Sequence, residues 1–348
     1  MTSDSPTIPQ LLRDLTHGHD LRADDFAHVV STAMNGEADP VAFGGLLAAL
    51  SMRPVQAEHL AAAARVIRER AVRVPTQVQP LVDTCGTGGD GANTFNVSTA
   101  AACVVAGTGC AVAKHGNRAV SSAVGSADVL AAAGCALDLE PRAARTALDA
   151  VGFVFLFAQR HHPAFRHVGP IRKSLGVRTI FNLLGPLCNP AGADRQVVGV
   201  YDPNVTGAVA EALRALGSES ALVVHCNGLD ELGLHDRTTG HRLHDGRIEP
   251  FELDARDLGF EAAPIEALRG GDLERNVELL RSALSGGDGA RSDAVALNAG
   301  AALWVAGQAD DLAAGVKLAQ STMDSGAASR VLVRYAETST RLAAEAVA

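Results

Sequence analysis

The stretch Leu81-Val82-Asp83-Thr84-Cys85-Gly86-Thr87-Gly88-Gly89-Asp90-Gly91 decides how the rest of the chain is read. A short apolar run leads into a segment in which four of the nine residues from Asp83 to Gly91 are glycine, and Asn96-Val97-Ser98-Thr99 then opens a helix. Glycine lets backbone N–H groups come close to a ligand, and the helix behind the loop points its partial positive end the same way. The segment therefore reads as a phosphate cradle at the end of a strand. Gly86, Gly88 and Gly91 satisfy G-x-G-x-x-G, a spacing that a structural turn meets about as readily as a phosphate site. A dinucleotide fingerprint would add an acid about 20 residues on, at the end of the next strand. That position holds Lys114-His115-Gly116-Asn117-Arg118 instead, which suits more phosphate rather than a ribose.

Outward from the loop, short apolar runs alternate with helical spacing. Strands are expected near Leu81 to Thr84, Ala111 to Lys114, Ala136 to Leu139, Val154 to Phe157, Gln196 to Tyr201 and Ala221 to His225. Helices are expected near Val97 to Ala106, Ala123 to Ala133, Pro141 to Ala150, Phe165 to Leu175 and Val205 to Leu216, followed by a polar hairpin around Arg242 to Arg247 and a helical tail from Gly270. Such alternation gives a largely parallel sheet, with ligands gathered at the strand C-terminal ends. Before residue 75 only helical spacing appears, as in Phe26, Val29, Val30, Met34 and then Phe43, Leu46, Leu47, Leu50. The expected fold is thus α/β: a small N-terminal all-helical domain over residues 1–74, joined by helical segments around 165–190, plus a larger domain over 75–348 with a mostly parallel central sheet flanked by helices.

Composition narrows the function. The 348 residues carry a net charge of -9 and only 4% aromatics, which argues against a general nucleic-acid role and against base-stacking platforms. No apolar run approaches the roughly 20 residues that cross a bilayer, and Met1-Thr2-Ser3-Asp4-Ser5 has neither a basic nor an apolar leader, so no membrane role and a cytoplasmic location are expected. The six cysteines are scattered through apolar segments without C-x-x-C, as reduced thiols are. Cys85, beside a helix N-terminus, is in a setting that lowers a thiol pKa, though small buried filler is its expected role.

Three further clusters join the glycine loop. Lys114 to Ser122 offers two cations, an amide and two hydroxyls, enough to surround a pyrophosphate with charge-assisted bonds. His161-His162-Pro163 precedes a helix with Arg166, His167, Arg172 and Lys173; adjacent histidines point apart, so recognition of a small carboxylate by an arginine fork fits better than metal. Gly228-Leu229-Asp230-Glu231-Leu232 follows the last parallel strand and offers hard oxygens of the kind that bind Mg2+ together with substrate phosphates. Alone, the first of these reads as a solvated turn and the last as an ordinary loop with two surface acids. Together they describe transfer from a pyrophosphate-bearing donor to a small acidic acceptor.

The runs Gly86-Thr87-Gly88-Gly89-Asp90-Gly91, Asn96-Val97-Ser98-Thr99, Lys114-His115-Gly116-Asn117-Arg118, Gly125-Ser126-Ala127-Asp128, Arg172 with Leu175-Gly176-Val177-Arg178-Thr179, Asn182-Leu183-Leu184-Gly185-Pro186-Leu187-Cys188-Asn189-Pro190 and Gly228-Leu229-Asp230-Glu231-Leu232 closely resemble the anthranilate phosphoribosyltransferase family. Met34-Asn35-Gly36-Glu37-Ala38 is similar to that family's small helical domain. The resemblance implies the fold shared with class II pyrimidine nucleoside phosphorylases, and transfer of phosphoribosyl from 5-phosphoribosyl-1-pyrophosphate to the amine of anthranilate in tryptophan biosynthesis. It implies a donor site of Gly86, Gly89, Asp90, Thr94, Asn96, Val97, Ser98, Thr99, Lys114, His115, Gly116, Asn117, Arg118, Ala119, Val120, Ser121, Ser122 and Ser126. It implies anthranilate contacts at Gly86, Asn117 and Arg172, with His115 and His162 near the way in, Mg2+ at Ser98, Asp230 and Glu231, no obligatory acid or base, and a homodimer formed through the helical domain. The alternatives are a pyrimidine nucleoside phosphorylase and a non-catalytic nucleic-acid-binding relative of the same fold.

Overall fold

The computed structural model describes residues 6–119, 124–287 and 289–346. Four helices come first: α1 (Ile8–Thr16), α2 (Ala23–Met34), α3 (Pro40–Ser51) and α4 (Ala57–Glu69). Pro40 occupies the first turn of α3, where its missing N–H costs nothing, and the Asp39 side chain accepts from Ala42 N to cap it. The apolar spacing read from the sequence faces inward: Phe26, Val29, Phe43, Leu46 and Leu47 are all fully buried.

The larger part follows as β1 (Leu81–Asp83), α5 (Val97–Gly107), β2 (Ala111–Gly116), α6 (Ser126–Ala132), α7 (Pro141–Val151), β3 (Phe153–Phe157), α8 (Ala158–His161), α9 (Phe165–Leu175), β4 (Arg195–Gly199), α10 (Thr206–Ala215), β5 (Ser220–His225), β6 (Thr238–His244), β7 (Arg247–Leu253), α11 (Leu273–Ala283), α12 (Ala290–Val305), α13 (Leu312–Asp324) and α14 (Ala327–Glu345). The sheet runs β3-β2-β1-β4-β5-β6-β7. Its first five strands pair in parallel and the last two add an antiparallel hairpin. The chain moves outward from β1 to β2 and β3, then returns to lay β4 on the other side of β1. That reversal opens a crevice at the carboxyl ends of β1 and β4, the place where open α/β sheets take ligands.

Helix α9 does not lie on the sheet alone. It packs against α2 and α3, and Val168, Ile180, Phe181, Leu183, Leu184 and Leu187 share one apolar cluster with Phe26, Phe43 and Leu46. The segment that carries Arg172 and Arg178 is thereby anchored in the helical bundle while the glycine loop is anchored in the sheet.

One expected strand is absent. Ala136 to Leu139 forms no ladder, because the edge of the sheet beyond β3 is already covered by α14. Tyr335, fully buried, accepts from Phe155 N on β3 at 3.0 Å, and Ser339 Oγ accepts from Ala136 N at 3.0 Å. Side chains of the last helix thus satisfy the backbone donors that a neighbouring strand would have taken. The hairpin expected around Arg242 to Arg247 is present and extends the sheet as β6 and β7.

Candidate functional site

The glycine loop leaves β1 with Gly88, Gly89 and Gly91 at φ of +64°, +79° and +81°, conformations that side-chain-bearing residues rarely adopt. It is tied down on several sides. Thr87 N donates to Gly199 O at 2.9 Å and Tyr201 N to Thr87 Oγ1 at 3.2 Å, which fastens the loop to the end of β4. Gly88 N donates to Asp230 Oδ2 at 2.7 Å. Asp90, whose partner the sequence leaves open, meets backbone donors: Ala92 N at 3.1 Å and Asp230 N at 3.3 Å. Among the described residues the N–H groups of Gly89, Asp90 and Gly91 donate to nothing. These are the donors a polyanion would use.

Beneath the loop lies a buried charge network. Lys114, 2% exposed, donates to Thr84 O at 3.1 Å, Thr84 Oγ1 at 3.2 Å and Ser98 Oγ at 3.2 Å. Its ammonium is therefore spent inside the protein, and its charge reaches the cradle from below. Asp83 is fully buried beside it and accepts from Asn189 Nδ2 at 2.7 Å and His115 N at 3.2 Å. Burial pushes the Asp83 carboxyl up to about 6, against the pull of Lys114 and of these donors. Burial also drives the Cys85 thiol well up, and the neighbouring acids push the same way, so Cys85 is an inert filler.

At the opening of α5, Ser98 N donates to Glu231 Oε1 at 3.1 Å. Val97 and Thr99 turn into the core, Asn96 Nδ2 donates to Val124 O at 3.2 Å, and Thr94 bridges to Arg269. The Asp230-Glu231 turn is held from behind by His225, whose Nδ1 donates to Val200 O at 2.8 Å and whose Nε2 accepts from Gly228 N at 3.0 Å. Burial raises the Asp230 carboxyl well above its usual range, helped by Asp90 and Glu231; burial also raises Glu231, with Lys114 opposing. Acids held so close together, in a half-buried crevice, fit a hard divalent cation. No group of three or more His, Cys, Asp or Glu side chains among the described residues forms a metal cage by itself. Mg2+ bound through one or two carboxylates, with substrate phosphates completing the shell, matches that donor set.

The second loop continues from β2. Ser126 Oγ donates to Asn117 O at 3.3 Å, and Asp128 accepts from Ala119 N at 3.1 Å, Gly125 N at 3.0 Å and Arg118 at 2.8 Å. A side chain on Gly116 would meet Ser126 Oγ at 2.4 Å, so only glycine fits there. Val120, Ser121 and Ser122 lie outside the described residues.

A row of rings leads away from Lys114 toward the helical bundle. His115 and His162 have centroids 5.1 Å apart, His162 and Phe165 6.0 Å, and Phe165 and Phe181 6.3 Å; the Arg172 guanidinium lies 5.8 Å from the Phe181 centroid. His115 Nδ1 donates to Gly185 O at 3.0 Å, which leaves Nε2 as a buried acceptor without a partner. Both ring nitrogens of His162 are buried and, among the described residues, make no well-formed hydrogen bond, the nearest acceptor being the Cys188 backbone, whereas the adjacent His161 turns the other way to bond Val72 O at 2.7 Å. Burial holds His162 down to about 4 and His115 well below the usual imidazole range, so both are neutral near pH 7. Arg172 is half-buried and, among the described residues, makes no hydrogen bond or ion pair. A guanidinium that is partly desolvated and unpaired awaits an anion. The sequence alone gives no role to Asp83, Asp128, Arg178, Asn189 or His225, although each stands in a run or strand named above. Asp83, Arg178, Asn189 and His225 act through partners 25 to 106 residues away, a relation no local spacing signals, whereas Asp128 closes its own turn onto Arg118, Ala119 and Gly125.

Residues 9–71 match the glycosyl transferase family, helical bundle domain, and residues 78–329 match the glycosyl transferase family, a/b domain. The chain is 47% identical over 336 residues to an anthranilate phosphoribosyltransferase of Symbiobacterium thermophilum, covering 96% of this chain and 98% of that one. Among solved structures, the anthranilate phosphoribosyltransferase of Thermus thermophilus superposes with a TM-score of 0.89 at 45% identity, covering 95% of this chain and 99% of that one. The Saccharomyces cerevisiae anthranilate phosphoribosyltransferase in complex with PRPP and Mg superposes with a TM-score of 0.87 at 26% identity, covering 96% and 98%.

Proposed function

The chain belongs to the anthranilate phosphoribosyltransferase family, and from that premise we propose how its own residues carry the reaction. The enzyme transfers the phosphoribosyl group of 5-phosphoribosyl-1-pyrophosphate to the amine of anthranilate, giving N-(5-phosphoribosyl)anthranilate and pyrophosphate in tryptophan biosynthesis, with Mg2+ as cofactor. The nucleoside phosphorylase and nucleic-acid readings are set aside.

Breaking the anomeric bond leaves positive charge on the ribose and negative charge on the departing pyrophosphate. The free N–H groups of Gly89, Asp90 and Gly91 receive the pyrophosphate, and Lys114 supports it electrostatically through Ser98. Gly86, Thr94, Asn96, Val97 and Thr99 shape this half of the donor site, and the run from His115 to Ser122 with Ser126 shapes the other. Mg2+, held by Ser98, Asp230 and Glu231, supplies further neutralisation of the leaving group when bound.

The acceptor side is carried by one observation: an unpaired, half-buried Arg172 stands at the far end of a row of rings that begins beside Lys114. A planar aromatic carboxylate matches both features, the fork gripping its carboxylate while the rings pack along it. Asn117 and Gly86 complete its site near the donor. His115 and His162, being neutral, line the approach without adding charge or protonating the amine. An arylamine is weakly basic, so positioning is the main task and no residue acts as an obligatory base. The test is to mix the protein with Mg2+, anthranilate and the phosphoribosyl donor and follow anthranilate fluorescence. Its loss supports the reading; none, from folded protein, overturns it.

Assembly belongs to the same proposal. The small helical domain spans residues 1–74, completed by segments around 165–190, and pairs with a second copy; Val41 and Met52, 84% and 88% exposed on this bundle, support such pairing. The larger domain spans 75–348. No helix among the described residues is long and apolar enough to cross a membrane, in keeping with a cytoplasmic enzyme.

A further inference from the structure

Six residues beyond Arg172 stands a second arginine that the mechanism above leaves unused. Arg178 is exposed, yet its guanidinium is engaged at two points. It donates to the carbonyl oxygen of Gly89, and it lies 4.5 Å from the centroid of the Tyr201 ring. Tyr201 is itself fastened to the glycine loop, its N–H donating to Thr87 Oγ1 at 3.2 Å. A surface arginine ordinarily keeps its rotamer freedom and its water; this one is stacked and directed at a single peptide.

The peptide it grips matters. In a planar trans peptide the carbonyl and the following N–H point in opposite directions. Holding Gly89 O toward Arg178 therefore turns the N–H of Asp90 away from it, and that N–H donates to nothing among the described residues. Gly88 and Gly89, at φ of +64° and +79°, offer little resistance to rotation of this plane, so the loop by itself does not select one orientation. The carboxylate of Asp90 secures the loop on its other side through Ala92 N and Asp230 N.

We propose that Arg178 is a positioning residue of the donor site, clamping the Gly89–Asp90 peptide so that the Asp90 N–H faces the pyrophosphate of the donor. This rests on the function proposed above and adds to it a residue that touches neither substrate.

The experiment compares wild type, Arg178→Ala, Arg178→Lys and Tyr201→Ala by steady-state kinetics and by calorimetric titration with magnesium pyrophosphate. Arg178→Ala is expected to raise the donor KM about tenfold and weaken pyrophosphate binding by a similar factor, with the anthranilate KM within about twofold and the thermal midpoint unchanged. Arg178→Lys should recover part of the loss, because an ammonium can donate to the carbonyl but cannot stack; Tyr201→Ala should fall between wild type and Arg178→Ala. An unchanged donor KM in Arg178→Ala, or an anthranilate KM that rises as much as the donor KM, overturns the proposal. Pyrophosphate binding is read without turnover. A wild type that failed to consume anthranilate would therefore sink the assigned reaction while the titration still decided the role of Arg178.

Discussion

Lys114 Nζ donates to Ser98 Oγ at 3.2 Å from beneath the glycine loop, so the cation is a buried support and its hydroxyl neighbour is the group nearer the surface. Lys114 also tempers the burial of Asp83 and Glu231, lowering both carboxyls against desolvation.

Lys114→Met should consequently do two kinds of damage. Removing one member of a buried charge network leaves carboxylates uncompensated, which typically costs about 3–5 kcal/mol of stability. Turnover should fall by roughly two orders of magnitude or more as the support for the leaving group goes. Urea denaturation and steady-state kinetics on the same preparation check both; a wild-type denaturation midpoint would refute the buried role.

Arg172→Ala should raise the anthranilate KM by roughly 10- to 100-fold, the worth of a charge-assisted fork, and leave the donor KM nearly unchanged. Because Arg172 makes no hydrogen bond or ion pair among the described residues, only its contact with the Phe181 ring is lost, no buried ion is orphaned and stability should hold. Equal effects on the two KM values would remove Arg172 from the acceptor side.

Acid should destabilise the protein through His162. Its imidazole sits at about 4 in the folded state against about 6.5 when unfolded, so the unfolded chain binds the extra proton first as pH falls. Stability is then fully present above about pH 6.5 and is lost as pH drops toward 4, by about 2 kcal/mol between pH 7 and pH 5 from this residue alone. His115, depressed in the same direction by burial, adds to the slope. His162→Phe should flatten it in denaturant titrations at the two pH values, and an unaltered slope would count against the buried neutral imidazole.

The glycines around Asp230 should show a graded response. A Cβ on Gly86 would lie 3.0 Å from Asp230 Oδ2, a pressure that a small shift relieves, whereas one on Gly199 would lie 1.5 Å from Asp230 O, where the backbone itself must move. Gly86→Ala is expected to lower kcat/KM by about tenfold with little change in stability, and Gly199→Ala to cost about 1–3 kcal/mol and a larger share of activity. Thermal melts alongside kinetics test the order; Gly199→Ala as active as wild type would show that Asp230 need not stay where it is.

The alternation of strand and helix, the glycine loop and its cationic partner strand were legible because they rest on local spacing. Ala136 to Leu139 misled because its apolar pattern is that of a strand, while Tyr335, which takes the place of a strand at the sheet edge, and Ser339, which holds Ala136 itself, come from roughly 200 residues later. Lys114 could be read as a cation but not as a buried one, since only the fold sets Asp83 beside it. Arg178 stands in a run that carries the family resemblance, but its role could not be read there because its partner lies 89 residues earlier. Local chemistry announces which groups can act, and the crossing of distant segments decides which of them face the ligand.

That crossing also sets a schedule. Asp90 and the Asp230 N–H it receives are 140 positions apart, so on a ribosome adding about 5–20 residues per second the cradle waits roughly 7–28 seconds for the turn that closes it. Until then a growing chain carries the glycine loop without the Asp230-Glu231 turn that fastens it. On the proposed function, donor capture would begin only after the parallel strands are complete, and a prematurely ended polypeptide would lack the acids that complete the site.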